Sequence, residues 1–189
     1  MGLIQERWPP VYDAEDLRQA ISRLVGHPAV GNRFYASTRS PDGLCQGDIL
    51  ELGCRRPWVN SGGQACADET PTKYWLLVSN TCDMHRELEN VRWAQLVPIY
   101  HLGQLDSIAK KQLDALQHYQ PSRRFFVPPW GAEVEGECLV ADFLQPVTAE
   151  RPLLQRELVR ARLGREAWLL LHACLVRFLA RDDGRFDPT

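Results

Sequence analysis

The chain has 189 residues, of which 44% are hydrophobic and 24% charged, and its formal net charge is −2. That length suffices for one domain with a proper core, and the composition is that of an ordinary globular protein. The near-neutral balance excludes recruitment of nucleic acid by a global field, so any such binding needs a local basic patch.

Arg7, Pro9 and Pro10 follow Met1 too closely for an apolar leader, so no secretory signal is expected. The longest apolar run, Ala167 to Leu171, is far too short for a membrane span. A cytoplasmic protein without a membrane partner is the expectation. There the six cysteines (Cys45, Cys54, Cys66, Cys82, Cys138 and Cys174) are reduced thiols rather than a disulfide framework. Cys138 and Cys174 lie inside apolar runs and read as core residues.

In chain order, residues 1–44 form an N-terminal helical extension. Asp13 is its N-cap, and Leu17, Ala20, Ile21, Leu24 and Val25 repeat at helical spacing up to Gly26. A strand over Gly47–Leu52 opens at a Gly-Asp turn. Cys54 to Pro71 reads as a long polar loop with Gly62-Gly63 at its tip. Strands are predicted over Tyr74–Asn80, Ala94–Tyr100, Arg123–Val127 and Glu137–Gln145. A helical insertion at about 102–120 separates the second from the third; Leu105, Ile108, Ala109, Leu113 and Leu116 mark its apolar face. "LLQRELVRARL" is too weakly patterned to assign. Arg165 to Leu179 is a helix apolar on nearly every side, which predicts cover by the barrel and by a homodimer or protein partner. Residues 183–189 read as a flexible tail. Short strands without regular βα alternation predict an α+β fold on a small, strongly bent antiparallel barrel.

The order of the segments Gly47-Asp48-Ile49, Leu77-Val78-Ser79, Val97-Pro98-Ile99 and Asp142 to Arg151, followed by a last helix, resembles the MazF/PemK-like toxin superfamily. The resemblance covers roughly residues 45–180, within a domain spanning 45–182 with the helical insertion. It implies an SH3-like barrel and metal-free cleavage of single-stranded RNA in a bacterial toxin-antitoxin, stress or phage-defence setting. The activity would rely on an Arg ahead of the second strand and a Thr or Ser after Pro-Ile. This sequence has Thr72-Lys73 and Tyr100 at those places, and its Arg56-Pro57 pair lies well upstream. A Lys replaces the bidentate guanidinium with a point charge only.

Three readings of Asn80 to His85 stand side by side. Cys82 fills a core gap and Asp83 caps a turn or short helix over Met84 to Glu89. Alternatively, Cys82 and His85 join Cys54 and Cys66 as a zinc site. In the third, Cys82, Asp83 and His85 are catalytic, as nucleophile or general acid/base. Arg55, Arg56 and Lys73 around Trp58, and Arg123 and Arg124 ahead of Phe125-Phe126, are candidate contacts for single-stranded nucleic acid. The functional alternative is a non-enzymatic protein-interaction module of a larger complex, with or without zinc.

Overall fold

The computed structural model describes residues 34–36, 43–53, 55–59, 64–69, 72–154 and 158–179, with 55–59 and 65–69 as backbone only. The expected N-terminal helix and the tail lie outside the described residues.

The strands are β1 (Asp48–Glu51), β2 (Arg55–Val59), β3 (Ala65–Glu69), β4 (Tyr74–Leu77), β5 (Trp93–Gln104), β6 (Arg124–Val127), β7 (Glu137–Asp142), β8 (Val147–Glu150) and β9 (Val159–Arg162). The helices among the described residues are α1 (Thr81–Met84), α2 (Lys110–Gln117) and α3 (Arg165–Leu179). Seven strands form one curled antiparallel sheet, a half-barrel, in the order β6-β7-β5-β4-β1-β9, with β8 also paired to β5. The fold is therefore α+β. No helix among the described residues is long and apolar enough to cross a membrane.

Alternation along the strands gives the sheet two buried sides. Leu50, Trp75, Leu77, Ala94, Leu96, Ala149 and Val159 fill one cluster. Ile49, Tyr74, Leu76, Val97 and Ile99 face the other, where α3 packs through Ala167, Leu170, Leu171 and Cys174. Trp168, Leu175 and Phe178 of α3 also pack there half-buried, while Leu179 at its end is 77% exposed. A strand buried on both sides needs the continuous apolar runs that made β4 and β5 conspicuous in the sequence.

The Gly-Asp turn ahead of β1 has a definite cause. Gly47 has φ +90°, and a Cβ there would lie 3.1 Å from the Leu163 side chain, so only glycine fits. Asp48 behind it is fully buried and takes two hydrogen bonds from Arg162 of β9, Nε at 2.5 Å and Nη2 at 2.9 Å. The Cys45 amide donates to the same carboxylate at 2.8 Å, and Arg162 Nη2 also reaches the Gly43 carbonyl at 2.8 Å. The hydrogen bonds to Asp48, with desolvation opposing them, push the Arg162 pKa up. This pair ties the first barrel strand to the last.

Several expected boundaries move. The "long loop" of residues 54–71 contains the β2–β3 hairpin, whose register sets Arg55 opposite Glu69, Arg56 opposite Asp68 and Trp58 opposite Cys66. Its strands are polar and hold Pro57, so they lack the apolar alternation that announces a strand. A two-stranded ribbon, where every strand is an edge, accommodates Pro57. β4 stops at Leu77, three residues short of Asn80, because the backbone turns into α1. β5 runs on to Gln104, and the insertion's helix starts only at Lys110 after a 3-10 turn over Leu105–Ser107. β7 ends at Asp142, whose carboxylate accepts the Leu144 amide at 3.0 Å, and the turn leads into a separate β8. The unassigned "VRAR" is β9.

Candidate functional site

The Asn80–His85 segment is held from both ends. Ser79 Oγ accepts the Gln95 amide at 2.7 Å, and Thr81 Oγ1 accepts the Gln46 amide at 3.1 Å. Met84 inserts into the barrel core. On the far side the Arg151 guanidinium donates to the carbonyls of Met84 (2.6 Å), Arg86 (2.9 Å) and Val91 (2.5 Å). These contacts give the segment's backbone an architectural role. Its side chains point outward: Asn80, Cys82 and His85 are exposed or nearly so, and Asp83 keeps 35% of its side chain exposed.

The helix expected over 84–89 does not form: α1 ends at Met84 with Asp83 inside it, and turns follow. The N-cap is Asn80, without a side-chain cap bond, and the Asp83 carboxylate instead pairs with Arg86 at 3.6 Å. The C-x-x-H pair Cys82 and His85 shares this exposed turn. Cys54 lies outside the described residues and the Cys66 side chain is not described. Among the described residues no three Cys, His, Asp or Glu side chains gather closely enough to hold a metal ion. Cys138 and Cys174 are core residues, and burial pushes the Cys174 thiol up to about 12, so it stays protonated and inert.

The positions that the MazF/PemK resemblance makes functional lie elsewhere. Tyr74 pairs with Ile99 across β4 and β5, so Lys73, just ahead of β4, and Tyr100 of β5 each flank that pair. Their side chains have other engagements. Lys73 Nζ sits 4.6 Å from the Tyr74 ring centroid and 3.9 Å from Glu51. The buried Thr72 hydroxyl donates to the Ile99 carbonyl and accepts the Tyr74 amide at 3.2 Å. The Tyr100 hydroxyl donates to Gln145 Oε1 at 2.5 Å. Burial, then the nearby Asp142 carboxylate, raises the Tyr100 pKa, which disfavours its phenolate.

Tyr100 has company that the sequence did not announce. In register it faces Val140 of β7, and Asp142 two residues along lies opposite Arg124 of β6. With a period of two, Tyr100, Asp142 and Arg124 therefore share one side of the sheet, where Tyr100 packs, partly buried, against the cluster that holds Val140 and Phe126. Of the other proposed cations, Arg123 is exposed at the start of β6, while the side chains of Arg55 and Arg56 are not described. The structure thus divides the described candidates among four places: the exposed α1 turn, the β2–β3 hairpin beside β8, Lys73 just ahead of β4, and the β5–β7–β6 face. Compared with protein-family models and with curated proteins, the chain matches none.

Proposed function

We propose that this chain is a cytoplasmic MazF/PemK-like protein with an SH3-like barrel. In this reading it binds single-stranded RNA in a toxin, stress or phage-defence setting and does not cut it by the superfamily's usual pair. The Tyr74–Ile99 pairing carries the reading, because the two positions implied by the resemblance, Lys73 and Tyr100, directly flank that pair. Binding is favoured over cleavage by what occupies them. An ammonium shared with Glu51 and Tyr74 replaces a free guanidinium, and a hydroxyl whose pKa is raised replaces a Thr or Ser. Neither group is equipped to stabilise a transferring phosphoryl group bidentately. A second copy or a partner protein is proposed to cover the end of α3, where Leu179 is left in solvent.

Titration of a fluorescent single-stranded oligoribonucleotide, followed by anisotropy, tests this. Binding should weaken as salt rises, with a log–log slope of about −0.7 per phosphate neutralised, and the RNA should be recovered intact. No binding at low salt, or rapid cleavage by purified protein, contradicts the reading.

A further inference from the structure

The insertion between β5 and β7 looks like an embellishment of the barrel until its strand is followed to the neighbouring side chains. β6 adds to the sheet beside β7, which places Arg124 opposite Asp142 and on the same side as Tyr100. Other cations of the sheet are committed to acids or carbonyls: Arg92 to Glu150, Arg160 to Glu51, Arg162 to Asp48, and Arg151 to three carbonyls. Arg124 is different. It is half-buried, its Nε is shut off from solvent, and that donor meets no acceptor. Asp142 does not quench it, since no ion pair joins the two and Asp142 Oδ1 is used by the Leu144 amide. A half-buried guanidinium whose enclosed Nε has no acceptor is an arrangement that needs a reason.

We propose that Arg124 is the phosphate ligand of this chain's RNA site, gripping a phosphodiester oxyanion on the face it shares with Tyr100. The proposal rests on the RNA-binding reading above and names the group that replaces the superfamily's missing arginine. The chemistry of the neighbourhood narrows the ligand. The Asp142 carboxylate opposite Arg124 repels a bound anion, and it repels the single negative charge of a diester less than the two of a terminal phosphate. The Tyr100 ring, bonded through its hydroxyl to Gln145, and the exposed Leu144 that precedes Gln145 in the chain offer apolar surface for a base. Internal positions of a single strand, rather than its phosphorylated end, are the expected occupants.

The test compares wild type, Arg124→Gln and Arg124→Lys by anisotropy with a fluorescent single-stranded oligoribonucleotide, alongside thermal melting. Arg124→Gln should weaken binding about tenfold and make the salt slope shallower by about 0.7. Arg124→Lys should keep the slope while losing part of the affinity, because it keeps the charge without the planar fork. Competition by a mononucleoside 5′-monophosphate should be much weaker than competition by a dinucleoside phosphate diester. Unchanged affinity and slope in both variants, with RNA still bound by wild type, overturns the assignment of Arg124 and leaves RNA binding standing. Absence of binding by wild type removes both.

Discussion

Replacing Asp48 by Ala is expected to destabilise the fold by about 3–5 kcal/mol, enough to unfold a domain of ordinary stability or bring it close to unfolding. The cause is the orphaned Arg162. Its guanidinium is 11% exposed and relies on Asp48 for two hydrogen bonds, so removing the carboxylate leaves a buried cation with only the Gly43 carbonyl. The turn before β1 loosens as well, because the Cys45 amide loses its acceptor. The paired replacement Asp48→Leu with Arg162→Met should be markedly less damaging than either single change, since it removes both charges together. Urea unfolding followed by tryptophan fluorescence measures wild type and each of these variants. Equal, small losses in the single variants would show that the pair does not fasten β1 to β9.

The second large effect concerns the segment that attracts most chemical attention in the sequence. Arg151→Met should cost about 2–4 kcal/mol, because three carbonyls lose a charged donor at once. The loss should be local in its dynamics: amide hydrogen exchange should accelerate over residues 84–91 more than over β4 or β7. Met84, held in the core by its own packing, should keep the first turn of α1 partly in place. If exchange rises uniformly, or not at all, Arg151 is not the clamp of this segment.

Much of the architecture was legible because burial on both sides of β4 and β5 requires uninterrupted apolar runs, and because Gly47 marks a turn that no other residue can make. The last helix was legible for the same reason, since Ala167, Leu170, Leu171 and Cys174 bury a full stripe. The β2–β3 hairpin was not, because its sequence is polar, holds Pro57 and lacks the apolar alternation that announces a strand. Nor was β9, where Arg160 and Arg162 occupy strand positions in order to reach Glu51 and Asp48. In a one-dimensional pattern those arginines look like surface helix.

The site was legible in part. Cys82, Asp83 and His85 are together on one exposed turn, as their spacing requires, but the anchoring role of Thr81 and of distant Arg151 depends on contacts across 35 and 67 positions. The grouping of Tyr100, Asp142 and Arg124 is invisible in sequence because it arises from register. It takes the β5–β7 and β7–β6 pairings to bring the three onto one face. Arg123 and Arg124, adjacent in sequence, end with different surroundings, one exposed and one half-buried.

Photo-crosslinking of a single-stranded oligoribonucleotide carrying 4-thiouridine, with the attached peptides identified by mass spectrometry, tests most directly the claim that RNA lies on the β5–β7–β6 face. The account predicts crosslinks on the peptides holding Tyr100 and residues 142–145, lost when excess unlabelled oligoribonucleotide competes. Crosslinks confined to the Cys82–His85 turn, or none above the level of an unrelated protein of similar charge, would contradict it.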